Sequence, residues 1–229
     1  MPVNMDMFLS PVWLSLKIAL LSGMLAFVFG VFAARLVHKR PFKGRTLLET
    51  VFMLPLVLPP TIIGFLLLLA FGRRSWIGRL AEWLWDQPVV FSWGAGVIAA
   101  TVVAFPLVYQ SAKTGFQTID PDLEGAARSM GAGERQVLFH VTLPLAGPAL
   151  ATAFVLGFAR ALGEFGATIM IAGNIPGRTQ TVPTAIYTAV DSGDYALAWC
   201  WTGAIVAFSF LLLLVGNFRK NPNAGNSAP

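Results

Sequence analysis

The chain has 229 residues, 56% of them hydrophobic and only 12% charged, where a soluble globular protein carries about 25% charged residues. Its apolar residues gather into runs of bilayer-crossing length, ~17–25 residues per helix, so this is an integral membrane protein, and the net charge of +5 sits beside those runs and does not point to nucleic acid. A single cysteine, Cys200, excludes an intrachain disulfide and reads as packing in its tryptophan-rich stretch; His38 and His140 lack companions at ligand spacing, so no metal site and no cofactor bound by the chain is expected.

In chain order, residues 1–13 are polar enough to stay outside the hydrocarbon and lack the basic, cleavable pattern of a signal peptide. A first span covers 14–36, with Lys17 near enough its start to snorkel. Residues 35–45 then hold five lysines or arginines in eleven positions, a basic loop that the charge rule assigns to the cytoplasm. A second span, 47–71, carries Pro55 and the pair Pro59-Pro60. Each proline removes a donor and obstructs the preceding turn, so the span is expected to be kinked. A broken span reads either as part of a transport path or as a structural kink. The loop 72–88 interleaves arginines with Trp76, Trp83 and Trp85, as suits a helix at the outer interface.

A third span covers 89–109. Residues 114–144 form the long polar insertion between two groups of apolar spans. Within it, Glu124 is followed by Gly125, Ala126, Ala127 and Arg128, with small residues that let a short helix approach another protein closely. Gly131 can end that helix, and Val141, Leu143 and Pro144 lead into the fourth span, 145–165. The insertion reads as a docking surface or as a solvated connector. The connector after the fourth span is too rich in Gly, Pro and Asn for a continuous helix over 172–183, though 184–190 fits a short re-entrant or interfacial helix. A fifth span, 196–218, ends at Arg219-Lys220, a second inner anchor. The tail 221–229 is composed for disorder.

The result is an all-α polytopic bundle of about five spans in one domain, 1–229, with its core at 13–218 and an outer N-terminus. Within the fourth span, Arg160 and Glu164 stand four apart. Ionisable groups at this depth face the bundle interior or water, commonly as pairs; this pair reads as a packing lock, a gate or a cargo contact. Nothing in the chain converts energy: GAGERQ lacks the spacing and the lysine of a phosphate-binding loop.

The spacing from residue 125 to 144 resembles the EAA loop of membrane subunits of bacterial ABC importers, whose pattern is E-A-A, three residues, Gly, nine residues, then I-x-L-P. On that alignment Gly125 stands at the Glu position, Ala126 and Ala127 at the alanines, Gly131 at the glycine and Val141 at the isoleucine, while Leu143 and Pro144 match. Glu124 sits one residue early. Further stretches, LPLVLPPTIIGFLLL, KRPFKG and ARALGEFGATIMIAGNIPGRTQTVPTAIY, are similar to those of molybdate-importer permeases, the oxyanion branch of the family, and the likeness covers 13–218.

That resemblance implies the type I importer permease fold. It implies a homodimer in the inner membrane, N-terminus periplasmic and C-terminus cytoplasmic, with two ATP-binding cassette subunits that bind ATP and Mg and a periplasmic molybdate-binding protein. The insertion would be the coupling helix held by the ATPase, and the chain itself would not be an enzyme. A dianion needs a hydrated path lined by small and polar groups. Pro59, Pro60, Thr168, Asn174, Arg178, Thr179 and Thr181 are expected near it, with Arg178 drawing in the anion, docking the binding protein or simply being solvated. Sulfate, thiosulfate or tungstate are alternative cargoes; a passive channel or membrane anchor is the alternative of another class.

Overall fold

A computed structural model describes residues 5–39 and 42–218. Arg40, the anchor at Arg219-Lys220 and the tail expected to be disordered lie outside the described residues. The chain is helical throughout: α1 Met5–Lys39, α2 Arg45–Val57, α3 Pro60–Phe71, α4 Trp76–Trp85, α5 Trp93–Gln117, α6 Pro121–Ser129, α7 Glu134–Val137, a π-helical turn Leu138–Thr142, α8 Leu143–Leu162, α9 Gly166–Ala172, α10 Val182–Asp191 and α11 Tyr195–Phe218. Among the described residues, α1, α5, the run from Glu134 to Leu162 and α11 are long and apolar enough to cross a membrane. The bent α2–α3 pair makes a fifth if counted as one span.

The polar start does not stand apart from the first span. It forms the opening turns of α1, whose 35 residues rise ~50 Å at ~1.5 Å each, well beyond the ~30 Å of hydrocarbon. The third span begins later than its apolar run suggests. Phe91 adopts a left-handed φ of 62°, and Ser92 caps α5 by accepting a 3.2 Å hydrogen bond from Ala95 N. The cap, not the hydropathy, sets the start.

α1, α5 and α8 form the centre. Their contact faces are built from small residues, Ala19, Ala26, Ala100, Ala104 and Ala153, packed with Ile18, Val108 and Phe158. A Cβ added at Gly30 would lie 2.8 Å from Val108 Cγ1, so the backbones of α1 and α5 approach as closely as glycine allows, the usual device where helices associate in lipid. α11 touches this centre along one narrow strip. Trp201 stacks on Phe8 at 6.2 Å and its Nε1 donates to Phe8 O at 3.1 Å, whereas Cys200, expected to be packed, is exposed.

The kink in the second span is larger than a proline bend. Each residue preceding a proline is driven to extended backbone, and here two occur in succession: Leu58 has ψ 141° and Pro59 ψ 132°. With Pro60 opening the new helix, α2 and α3 lie 112° apart. Pro55, inside α2, leaves that helix unbroken.

The bundle has two unlike ends. At one, the close of α1 reaches α6 through Arg35 and Glu124, and the start of α2 meets the close of α5 through Glu49 and Lys113. At the other, α10 packs on the opening of α1, where Val182 N donates to Ser15 Oγ at 2.7 Å. The beginning of α5 is held there too, with Lys17 Nζ 3.7 Å from the centroid of the Trp93 ring.

Candidate functional site: a carboxylate hub and two broken helices

α6 is a short helix with complete ends. Asp120 caps it, accepting from Asp122 N at 3.0 Å; Pro121 fills the first position, Asp122 and Glu124 lie in the first turn and Arg128 in the last, each on the favourable side of the helix dipole. Ala132 N donates to Ala127 O at 3.1 Å and Gly131 N to Arg128 O at 3.0 Å. This paired closure requires a left-handed residue, and Gly131 supplies it with φ 88°. The helix and stop expected from the small-residue spacing are both present.

Glu124 is the hub of this end. Its Oε1 accepts from Thr142 Oγ1 at 2.5 Å and from Arg35 Nη2 at 3.3 Å, and its Oε2 from Arg128 Nη2 at 2.9 Å. Arg128 Nε also donates to Glu134 Oε1 at 2.7 Å. One carboxylate thereby joins α1, α6, the π turn and, through Arg128, α7. Burial would raise its pKa, but the Thr142 hydroxyl, Arg128 and the Arg35 charge outweigh that and hold it below the ordinary 4.5. The same carboxylates hold the Arg128 pKa up, through Glu134 first and Glu124 second. Gly125 has nothing within 4 Å of where a Cβ would stand, so the anchored acid of this loop is at 124.

Pro144 does not separate the insertion from the fourth span. α7, the π turn and α8 are continuous, and Leu143 N bonds Leu138 O, five residues back. The wider turn sits just ahead of Pro144, in the first turn of α8, where a missing N–H costs little. Leu143 packs on the core formed by Ala34, Tyr109 and Phe116. Ala127, Gly131, Gln136 and Val141 edge an open recess of about 470 Å³; beside it Met130 is 83% exposed.

The second feature is a break in the fourth span. α8 ends at Leu162 and Gly163 caps it, so Glu164 lies between helices and not on a continuous one. It is 3% exposed, pairs with Arg160 Nη1 at 2.9 Å and accepts from Ala167 N at 2.8 Å, closing the start of α9. α9 packs against α3. A Cβ on Gly64 would lie 2.7 Å from Met170 Cβ and 2.8 Å from Ala167 Cα, and one on Gly166 would lie 3.1 Å from Pro60 Cβ. The two prolines and the Glu164 break, far apart in sequence, are thus brought together.

The remaining expected residues divide. Thr168, Thr179 and Thr181 are buried within the chain: Thr179 Oγ1 accepts from Ile175 N at 2.9 Å, and Thr181 begins α10, its N–H donating to Thr184 Oγ1 at 2.8 Å. Asn174 Nδ2 donates to Thr188 Oγ1 at 2.7 Å, while its Oδ1 is buried with no partner among the described residues. Pro59 and Arg178 are exposed.

Sequence spacing missed Arg35 and Thr142 as partners of Glu124. It also missed a second cluster, in which Glu49 Oε1 meets Lys113 Nζ at 2.9 Å and Arg45 Nε at 3.0 Å, with Tyr109 Oη donating at 3.4 Å. Only the i,i+4 pairs were open to sequence reasoning.

A polytopic helical bundle, with a capped polar helix tied to one end and two broken helices packed on each other, is the architecture of a membrane permease. The fold matches a chain of the MetNI methionine ABC transporter in inward-facing conformations, with TM-score 0.72 at 19% identity, covering 95% of this chain and 96% of that one. A chain of a bacterial alginate ABC transporter in complex with an alginate pentasaccharide-bound periplasmic protein gives TM-score 0.76 at 18% identity, covering 95% and 79%.

Residues 26–219 match the family described as binding-protein-dependent transport system inner membrane component, and the chain belongs to that family. Its relatives include the putative molybdenum transport system permease protein YvgM of Bacillus subtilis, 54% identical over 95% of this chain and 96% of that one. The molybdenum transport system permease protein ModB of Escherichia coli K12 is 46% identical over 79% of each. The sulfate transport system permease protein CysT of the same strain is 35% identical over 86% and 72%.

Proposed function

We propose that this chain forms the transmembrane path of an ATP-driven importer for molybdate and couples to a separate ATPase subunit through α6. The chain is a permease of the molybdate type and not an enzyme in its own right. The cargo assignment rests on the identity to molybdenum permeases, which exceeds that to the sulfate permease. Sulfate, thiosulfate and tungstate, dianions of similar tetrahedral form, are the competing cargoes.

The observation that carries the coupling role is the Glu124 hub. A helix that only bridged two spans would not need a half-buried carboxylate tied to α1, the π turn and Arg128 at once. Through those bonds a push on α6 reaches two spans directly. Glu124, Gly125, Ala126, Ala127, Arg128 and Gly131 form the helix and its stop; Val141, Leu143 and Pro144 carry the motion into α8. The basic segment after α1 lies at the same end, which supports a cytoplasmic α6, an outer N-terminus and an inner C-terminus.

A second copy of the chain closes the assembly by two-fold symmetry. The exposed Val206, Phe210 and Leu211 of α11 then meet lipid or that copy. Arg160 and Glu164 act as a lock at the α8–α9 break, since each cancels the other's charge. Pro59 and Pro60 set the bend opposite them, and Asn174, Arg178, Thr168, Thr179 and Thr181 shape the outer mouth. Two cassette subunits supply ATP and Mg, and a periplasmic binding protein delivers the anion.

The test is reconstitution in liposomes with the cognate ATPase and binding protein. Uptake and ATP hydrolysis are both expected to rise with molybdate. Hydrolysis or uptake indifferent to every oxyanion would overturn the assignment, and uptake without any ATPase would favour a passive channel.

A further inference from the structure

At the end of the bundle away from α6, two basic side chains from distant parts of the sequence share one recess. Lys17 comes from α1 and Arg178 from the segment between α9 and α10; with Gln87, Ser92 and Trp93 they line a space of about 370 Å³ that no acidic residue lines. Six basic groups elsewhere among the described residues are ion-paired: Arg35 and Arg128 with Glu124, Arg45 and Lys113 with Glu49, Arg73 with Glu82, Arg160 with Glu164. Lys17 and Arg178 have no ion pair among the described residues. Lys17 is held over the Trp93 ring at 3.7 Å, a contact that orders an ammonium while leaving its charge uncompensated.

The wall of the recess is also specified. Phe91 occupies left-handed backbone at φ 62°, a costly conformation for an aromatic residue and one that collects at functional sites. Its N–H is pinned to Ile171 O at 3.0 Å. Phe91 and Arg178 line both this recess and a neighbouring one of about 630 Å³.

We propose that Lys17 and Arg178 form a docking site for a tetrahedral oxyanion dianion at the outer mouth, where cargo released from the binding protein is held before it enters the path. This rests on the importer reading above. Two single positive charges match one dianion, and at ~30 Å³ per water the recess takes the ion with several waters. Two cations lining an open recess concentrate an anion without enclosing it.

The experiment is equilibrium binding of radiolabelled molybdate to the assembled transporter in nanodiscs, without the binding protein. Saturable binding is expected, displaced by tungstate and sulfate but not by chloride at equal ionic strength, and weakening as salt rises. K17Q and R178Q should each weaken it on the order of tenfold, with K17R and R178K close to wild type and R74Q without effect. No saturable binding by the wild type, or equal losses in R74Q, would overturn the site. So would K17Q and R178Q variants that bind molybdate normally yet lose affinity for the binding protein, because the recess would then receive that protein's carboxylates. Uptake by the wild type in proteoliposomes separates the two ideas: uptake without this binding removes the docking site alone, whereas no oxyanion uptake at all removes the importer reading.

Discussion

Thr142 donates a 2.5 Å hydrogen bond to Glu124 although 18 residues separate them, and this contact closes the polar insertion on itself. Around it, Arg35 and Arg128 complete the coordination of the carboxylate, whose side chain is 17% exposed. Glu124→Ala removes the acceptor that Arg35, Arg128 and the buried Thr142 hydroxyl share, leaving Arg128 with Glu134 and Thr142 with a long 3.4 Å bond to Val137 O, a loss of about 1–3 kcal/mol. Uptake should fall by more than tenfold with the permease still inserted. Co-purification with the ATPase, measured alongside uptake, checks this; a variant that transports normally would remove α6 from the coupling path.

Acid should act through the same group. The folded pKa of Glu124 lies below its ordinary 4.5, so its stabilising contribution is fully present above the unfolded value and is lost as pH falls through the folded one. Unfolding midpoints of the solubilised protein should therefore show a steeper decline below about pH 4.5 in the wild type than in Glu124→Gln. Identical pH profiles would contradict the hub.

Gly131 stops α6 with a φ of 88° and open space around it, so the penalty for a side chain there is conformational, about 1–2 kcal/mol for a residue forced left-handed. Gly131→Val should uncouple ATP hydrolysis from uptake in reconstituted vesicles, while Gly131→Asn, which tolerates this backbone, should retain most activity. Gly125→Ala meets no neighbour and should stabilise the helix by ~0.5–1 kcal/mol.

At the α8–α9 break, Glu164 serves both Arg160 and Ala167 N. Glu164→Gln keeps an acceptor for the backbone and should be the milder change. Glu164→Ala loses both contacts, costing about 3 kcal/mol, the lower end for a buried pair because Arg160 keeps 29% exposure. Thermal stability and dimer assembly should drop more than oxyanion preference shifts. Altered preference at an unchanged rate would make the pair a cargo contact.

Gly64 separates α3 from α9. Gly64→Val would drive a side chain into Met170 and Ala167, an overpacking of about 1–3 kcal/mol or more. Transport should fail while co-purification with the ATPase is retained, whereas Glu124→Ala is expected to weaken both, so the same assay tells the two apart.

Several of these features are local and could be read in the sequence. Apolar runs placed the spans, the small residues and Gly131 placed α6 and its stop, and the double proline placed the break, because hydropathy, left-handed backbone and missing N–H groups act over a few residues. The size of that break, the cap that delays α5 and the π turn that carries α7 into α8 depend on which backbone groups find partners. Composition is silent on that. The long-range pairings were decided only in three dimensions: Arg35 and Thr142 on Glu124, Lys113 on Glu49, Gly64 against Ala167, Lys17 beside Arg178. Helix periodicity says which residues share a face of one helix. Only packing the helices decides which faces meet, and so which charges are paired and which, like Lys17 and Arg178, line a recess with no acidic residue.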